Sequence, residues 1–405
     1  MSTSLGTNSL ITMIGQLFKA LFQGLAFVLV AKTLGASDFG IFVSILAICS
    51  LLSPFVDFGG YNLVVKRISH GERIDKVIGE SIGVLVSAAP IFIIMLCLLT
   101  SSIYNYPIFL AVFIGFTALF FDKLISIFIA LNISRDSFKI VAVIEIIASA
   151  IRLVFAFLLY VMQGDVLIWV FLLFLNGLIT VLVIYYLIKS EFKQFSIFRP
   201  TYKLLRIGMP FVWNQVGYNA NQDFDKICLS KISGSEIAGI YAAAMRVLNI
   251  ALIPIYAFYM AAYSRYFKAS HAGENAFQHA LKMVVPSFFI GIVTSLIVFL
   301  AAPYVPLILG AEYQDAVELI KIAVIIPIIQ TLANPFADTL SGYGKQTIRV
   351  YILFAALFVN ITLNILLIPE YEARGALAAT IVSHIVFLIA CIWFTYRTSK
   401  IVRQE

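Results

Sequence analysis

Hydrophobic residues fill long runs along almost the whole chain, and only short polar stretches separate these runs. A run of about 20 apolar residues is the length that an α-helix needs to cross the roughly 30 Å hydrocarbon core of a bilayer. The connections between the runs are short, so we expect no sizeable soluble domain. The pattern predicts twelve membrane-spanning helices at residues 9–34, 39–65, 77–99, 106–131, 138–162, 166–188, 204–230, 236–263, 283–309, 316–340, 346–368 and 373–396.

Positive charges alternate strongly between the loops that join these predicted spans. The loops after the even-numbered spans with the span ends beside them, together with the C-terminal tail, hold 19 of the 28 Lys and Arg residues, whereas the loops and span ends after the odd-numbered spans hold three. Cytoplasmic loops of membrane proteins carry an excess of Lys and Arg. We therefore predict that both termini are cytoplasmic, since a missed or invented span would break the alternation.

An internal repeat predicts two lobes. Residues 32–42 align with residues 231–241 at a constant offset of 199, and in each half the segment leads from the first span into the second. Both copies follow an odd-numbered span, which makes the halves parallel repeats. We predict an N-terminal six-helix lobe at 1–190, a basic cytoplasmic linker at 191–203 and a C-terminal six-helix lobe at 204–405, arranged around a central cavity.

Composition fits a membrane protein and changes the interpretation of the net charge. The chain is 61% hydrophobic and 12% charged, about half the charged fraction of a typical soluble domain. The fold class is therefore an all-α polytopic membrane protein. The net charge of +7 is explained by the Lys and Arg residues in the loops on one side of the membrane, so we expect no nucleic acid partner. Four cysteines stand singly in apolar segments, which predicts neither a disulfide framework nor a metal site.

The seventh predicted span is far less apolar than its neighbours. A charged side chain near the bilayer centre costs about 2.5–3.5 kcal/mol even on the lenient insertion scale. The polar side of this span should therefore line a cavity enclosed by protein. Its polar residues are Asn214, Gln215, Asn219, Asn221, Gln222, Asp223, Asp225 and Lys226.

Charged residues inside the spans are the candidate site. Arg and Lys are the side chains that hold phosphate, so the intramembrane cations predict a cavity for an anionic cargo. These cations are Lys19, Lys123, Arg152, Lys226 and Arg246. The carboxylates that could couple to ions or set the cavity potential are Asp57, Glu145, Asp223 and Asp225, with Asp338 as a further candidate for proton coupling.

A structural role is the alternative for each of these charges. Buried ions often pair as struts between helices, and long side chains near span ends can reach the headgroups. Glu145 and Arg152 are seven residues apart and share a helix face about two turns apart. They are too distant to pair along the helix, so we expect each to have a partner on another span.

Motifs of nucleotide and hydrolytic chemistry are absent from the sequence. We find no GxxxxGK[ST] phosphate loop, no HExxH and no Cys/His cluster. No long outer loop could house a catalytic site. We therefore expect a non-enzymatic protein without a cofactor, driven by an ion gradient or by the gradient of its cargo.

Several stretches resemble a known transporter family. They are LVAKTLGASDFGIF at residues 29–42, Asp57-Phe58-Gly59, DFDKICLSKISGSEIAGIYAAAMRV at 223–247 and the tail from Gly342 to Ile385. Together they are similar to the polysaccharide repeat-unit flippases of the Wzx type. That family belongs to the multidrug, oligosaccharidyl-lipid and polysaccharide (MOP) exporter superfamily.

This resemblance implies a cargo and a mechanism. The cargo would be an undecaprenyl-diphosphate-linked oligosaccharide, moved across the bacterial cytoplasmic (inner) membrane by alternating access through a cationic cavity between two lobes. The product would feed O-antigen, capsule or exopolysaccharide synthesis, with membrane lipids, a polysaccharide polymerase and a chain-length regulator as partners. Carried over to this chain, the family's site residues are Lys19, Asp223, Asp225 and Arg246.

Two other functions remain open at this point. A cation-coupled multidrug exporter of the same superfamily would share the architecture, but the cationic excess among the interior charges is unfavourable for cationic drugs. A membrane-bound polysaccharide polymerase or ligase would need a sizeable outer loop with catalytic Arg or His, and the sequence has none.

Overall fold

A computed structural model describes residues 5–187 and 202–401, and within these ranges the secondary structure is helical, without strands. Eight helical segments there are long and apolar enough to cross a membrane. Two of the eight, Gly15–Ser69 and Gln346–Lys400, are 55 residues long. Each is therefore long enough to cross twice, since a single crossing takes about 20 residues. The predicted all-α polytopic membrane fold is confirmed.

The chain forms two compact units, Met1–Asp223 and Phe224–Glu405. The predicted linker, 191–203, lies almost entirely outside the described residues, and the predicted lobe boundaries stay a prediction. The N-terminal unit contains the helices Leu5–Asp57, Gly60–Ser69, Ile74–Tyr104, Ile108–Gly115, Asp122–Ser134, Phe138–Met162 and Val166–Leu187, the π-helical turn Phe116–Phe121 and most of the helix Tyr202–Ile232.

The C-terminal unit begins inside the helix Tyr202–Ile232. Its other helices are Ser235–Ala251, Ile253–His271, Ala276–Ala301, Val305–Leu309, Ala316–Ala323, Ile325–Gly342 and Gln346–Ile401, with 3₁₀ turns at Ala302–Tyr304 and Ala311–Tyr313. The last long helix holds two predicted spans and changes direction at Glu372, where φ is 49° and ψ is −127°.

Two glycines give the sequence repeat a counterpart in the backbone. Gly35 kinks the first long helix with φ 69° and ψ 177°. Gly234 precedes the helix Ser235–Ala251 with φ 98° and ψ 165°. The offset of 199 that aligns the two halves places these glycines in register. Positive φ with ψ near 180° is a region essentially reserved for glycine. The repeat therefore conserves a backbone conformation as well as residue types.

Several predicted spans are not single helices. The second span stops at Asp57 and resumes at Gly60, and the two residues between have positive φ, 48° at Phe58 and 72° at Gly59. The eighth span is interrupted at Leu252, next to Pro254, whose ring removes a backbone donor. These breaks interrupt two of the predicted spans. Helical periodicity alone does not reveal such local breaks.

We expect Gly234→Ala to destabilise the protein by about 1–3 kcal/mol, because alanine is strained in this backbone region. A Cβ at Gly234 would meet nothing within 4 Å, so the effect isolates backbone strain. The measurement is the thermal unfolding midpoint of the purified protein in detergent. Gly24→Ala is the control: its Cβ also meets nothing within 4 Å, and alanine favours a helix by about 0.5–1 kcal/mol. Equal losses in the two variants would refute the strain argument.

Candidate functional site

Asp57 lies at the break in the second span, deep inside the N-terminal unit. Its side chain is almost fully buried, and its Oδ1 accepts a hydrogen bond from the backbone N–H of Gly59 at 3.2 Å. Its Oδ2 accepts from Lys123 Nζ, also at 3.2 Å. The carboxylate thus satisfies a donor that the helix break leaves free and binds a lysine from another helix. An isolated charge in this position would be strongly unfavourable.

A π-helical turn positions Lys123 and its neighbour Asp122. The turn covers Phe116–Phe121 and passes directly into the helix that begins at Asp122. Phe121 packs so closely on Gly177 that a Cβ at this glycine would lie 2.7 Å from the Phe121 ring. π-helical turns are rare and often occur at functional sites. This one sets which face of the following helix the two charged residues occupy.

A second ion pair joins the first helix to the helix Phe138–Met162. Lys19 Nζ lies 2.8 Å from Glu145 Oε1, and Gln16 Nε2 donates to Glu145 Oε2 at 2.7 Å. The expectation that Glu145 has a partner on another span is confirmed. Arg152, two turns further along, interacts electrostatically with Asp122 rather than with Glu145.

Two neighbouring cavities lie beside these pairs, with volumes of about 280 and 320 Å³. Tyr61 and Ser126 belong to the walls of both. The first cavity is lined by Ser53, Pro54, Asp57, Gly59, Tyr61, Asn62, Lys123, Ser126, Phe211 and Gln215. The second is lined by Gln16, Tyr61, Asp122, Ile125, Ser126, Ile129, Ile133, Phe138, Val141 and Glu145.

Close backbone packing brings the seventh span to the first cavity. A Cβ at Gly208 would collide with the carbonyl oxygen of Phe58, and a Cβ at Gly59 would lie 2.6 Å from Phe211 Cβ. Further along, Asn219 Nδ2 donates to the carbonyl oxygen of Ser50 at 2.5 Å. These contacts explain why Phe211 and Gln215 line the cavity. Gln215 and Asn219 of this span contact protein there, whereas Asn214 is exposed.

The remaining predicted site residues lie near the junction of the units and in the C-terminal unit. Asp223 is half-buried at the end of the N-terminal unit. Asp225 is buried and accepts a hydrogen bond from the Tyr241 hydroxyl at 2.5 Å. Lys226 is half-buried, and Arg246 is exposed on the helix Ser235–Ala251. The functional roles assigned to these residues from sequence stay predictions.

Two further polar groups of the C-terminal unit have local structural partners. Asp338 accepts from Arg349 Nη1 at 2.8 Å, and the same nitrogen contacts Ser341 Oγ at 2.9 Å. Asn364 donates to Asn360 at 2.9 Å along their common helix. Residues four apart lie one above the other on the same helix face, which places the two amides within hydrogen-bond distance.

Sequence reasoning missed Asp122, Gln16, Asn62 and Tyr61 as cavity residues. Asp122 was visible as an intramembrane charge, but it adjoins Lys123, and we assigned the site to the lysine alone. The other three are uncharged, and single polar residues near span ends give no sequence signal that separates cavity walls from helix contacts.

Solved structures with a similar fold are described as transporters of the MOP superfamily. An inward-facing multidrug resistance MATE family transporter of the MOP superfamily matches with a TM-score of 0.77 and 14% identity, over 96% of each chain. A MOP superfamily transporter from Pyrococcus furiosus, described as having a reverse polarity of its binding pocket that suggests a different function, matches with a TM-score of 0.64 and 15% identity over 98% of this chain and 95% of its own. The chain thus shares the fold of these transporters.

Sequence comparison identifies the family of the chain. The model of the family described as polysaccharide biosynthesis protein matches residues 5–268, and the chain belongs to this family. A second model, MatE, matches residues 210–366. A curated relative, the uncharacterized membrane protein MJ1068 of Methanocaldococcus jannaschii, is 28% identical over 179 residues, which are 42% of this chain and 34% of that protein. The matched region thus spans about a third of that relative's length.

We expect Lys19→Met to lower the free energy of unfolding by about 1–3 kcal/mol, because it leaves the Glu145 carboxylate buried without its cation. The cost stays below the roughly 3–5 kcal/mol of a fully buried pair, since the Lys19 side chain is 32% exposed and that of Glu145 is 12% exposed. The measurement is chemical or thermal unfolding in detergent, with the charge-reversed double variant Lys19→Glu/Glu145→Lys expected to recover part of the loss.

Arg374→Gln provides the matched control, because it removes an equally short pair, 2.7 Å to Glu318, whose side chains are more than half exposed. An exposed pair contributes about 0–1 kcal/mol. If Lys19→Met cost no more than Arg374→Gln, the interior pair would have no special importance for stability.

Proposed function

We propose that this protein is a flippase that moves undecaprenyl-diphosphate-linked oligosaccharide units across the bacterial cytoplasmic membrane for surface polysaccharide synthesis. The observation that carries the proposal is the family match over residues 5–268, a region that contains nine of the ten charged candidate residues, all but Asp338. The cavities of the N-terminal unit add a polar interior to an otherwise apolar lobe. In this reading both termini are cytoplasmic, and the polymerase and chain-length regulator of the pathway are its partners.

The proposed roles of the residues follow from their surroundings. Arg246 is exposed and carries a planar guanidinium, which suits bidentate contact with a phosphate. Lys123 and Lys19 already bind carboxylates, so a cargo group that approaches either one competes with Asp57 or Glu145. Such competition would link cargo entry to the helix break at Asp57. No covalent chemistry or cofactor is needed for this transfer.

A cation-coupled multidrug exporter is the second candidate. The MatE match at residues 210–366 favours it, as does the cluster of carboxylates in the N-terminal cavities, which would attract a cation. The family match that covers the longer part of the chain favours the flippase. The structural neighbours do not decide between the two, because 14–16% identity establishes the fold alone.

The deciding experiment locates lipid-linked oligosaccharides by leaflet in a deletion strain. Loss of the gene should trap complete single repeat units on the cytoplasmic side and abolish surface polysaccharide, and the wild-type gene should restore export. Intact surface polysaccharide with raised drug sensitivity would instead establish the exporter. Units displayed outside but left unpolymerised would indicate a polymerase or ligase.

We expect Arg246→Gln to lower export at least tenfold in the complemented strain while the protein level stays unchanged, because the amide keeps the polarity but loses the charge that holds a diphosphate. Arg374→Gln, in an exposed pair of the same unit, is the control and should export normally. Surface polysaccharide is quantified against immunoblotted protein. Normal export by Arg246→Gln would contradict its role in cargo binding.

A further inference from the structure

We propose that the end of the last helix forms a binding site for an anionic phospholipid, whatever cargo the protein moves. The site comprises Trp393, Tyr396, Arg397 and Lys400, called here the headgroup site, and all four residues are exposed. Their spacing of i, i+3, i+4 and i+7 places them on one face of the helix Gln346–Ile401. The predicted topology puts this helix end at the cytoplasmic leaflet.

The opposite face of this helix end packs against protein. Its buried residues are Cys391, Thr395, Thr398 and Ser399. Thr395 Oγ1 donates to the carbonyl oxygen of Phe336 at 3.2 Å. On the aromatic side, the Phe277 ring lies 5.6 Å from the Tyr396 ring and supports it from the helix Ala276–Ala301. These contacts fix the rotation of the helix end about its axis, so the headgroup site has a defined direction.

Two cation–π contacts hold the positive charges of the headgroup site. The guanidinium carbon of Arg397 lies 4.1 Å from the centre of the Trp393 ring, and Lys400 Nζ lies 4.8 Å from the centre of the Tyr396 ring. Both distances fall within the roughly 6 Å range of this interaction. A guanidinium stacked on a ring still presents N–H groups at its edge, in the planar arrangement that matches a phosphate. Residues three apart on a helix are neighbours, so Lys400 can bind the same phosphate as Arg397.

Carboxylates do not balance these two charges within the part of the chain that the structure describes. There, neither Arg397 nor Lys400 takes part in an ion pair. The carboxylates of the ion pairs in the C-terminal unit have other cations as partners, and they are Glu274, Asp338 and Glu318. The headgroup site therefore presents two positive charges together, which favours an anionic ligand.

An apolar track on the same helix face indicates a lipid rather than a free phosphate. Val382, Ile385 and Ile389 are exposed and precede Trp393 at spacings of three and four residues. They continue the face of the headgroup site toward the middle of the span, where the acyl chain of a bound lipid lies. Trp and Tyr are enriched at the membrane–water interface, and Lys and Arg just beyond a span attract anionic headgroups. A ligand with an acyl chain and a phosphate therefore matches the whole face.

The test measures lipid selectivity at Trp393 itself. The chain has three tryptophans, so the double variant Trp169→Phe/Trp213→Phe leaves Trp393 as the sole indole of the full-length protein. This protein is reconstituted in phosphatidylcholine that contains either brominated phosphatidylglycerol or brominated phosphatidylcholine, whose bromine atoms quench a neighbouring indole. We expect brominated phosphatidylglycerol to bind at the indole at least fivefold more strongly than brominated phosphatidylcholine, and high salt to weaken this preference.

Matched variants separate a built site from general surface charge. Arg397→Gln/Lys400→Gln in the single-tryptophan protein should reduce the preference to less than twofold. Lys345→Gln, which removes an exposed cation of the same unit outside the site, should leave it unchanged. The unfolding midpoint of each variant in detergent checks that the fold is retained, and native mass spectrometry should show one retained phosphatidylglycerol fewer in the double variant than in the unmodified protein.

Three results would overturn the proposal. The first is equal quenching by the two brominated lipids, and the second is an equal loss of preference in Lys345→Gln and in Arg397→Gln/Lys400→Gln. The third is displacement of brominated phosphatidylglycerol by undecaprenyl phosphate at a tenth of its mole fraction, which would assign the site to a polyprenyl lipid. The assay does not involve transport, so its outcome is independent of whether the protein is a flippase.

Discussion

The ion pair between Asp57 and Lys123 is the contact on which the organisation of the N-terminal unit depends. Lipid offers no partner for a charge or for a free backbone amide, yet the second span is broken at Phe58 and Gly59. The Asp57 carboxylate provides both partners, because it accepts a hydrogen bond from the Gly59 N–H and forms an ion pair with Lys123. Gly208 and Phe211 then pack directly against the break, so the start of the seventh span is bound to it.

The second pair extends this arrangement to the other end of the first long helix. That helix carries Lys19 near its start and Asp57 at its last residue, and each is bound to a different neighbouring helix. The cavities lie beside these two anchor points. A ligand that enters there therefore contacts the same groups that hold the helices together, and it can shift their arrangement only by binding one arrangement better than another.

The features of the fold that were predictable from sequence are those with a regular signal. The length of the hydrophobic runs predicted the spans. The 199-residue offset predicted an internal repeat, and Gly35 and Gly234, which the offset aligns, have similar backbone angles. The seven-residue spacing of Glu145 and Arg152 correctly excluded a pair between them. The break at Phe58 and the π-helical turn were not predictable, because both depend on tertiary contacts that override helical periodicity.

The polarity of the candidate site shows the limit of counting charges along a sequence. Cations inside spans suggested a positive interior, but Lys19 and Lys123 each lie against a carboxylate from a distant part of the chain. Which charges neutralise each other is a long-range property. Only the structure reveals that Asp122 lines a cavity and that Arg152, on the helix Phe138–Met162, interacts electrostatically with Asp122.

The π-helical turn at Phe116–Phe121 has a consequence for how this lobe tolerates insertions and deletions. Such a turn contains about one residue more than the α-helical turn it replaces, and each residue of a helix advances the chain by about 100°. Deleting one residue within it would restore a regular α-helix and leave Asp122 and Lys123 at nearly the same azimuth relative to Ile108–Gly115. Homologues that differ by one residue in this short segment would then still present the equivalent side chains to the cavity.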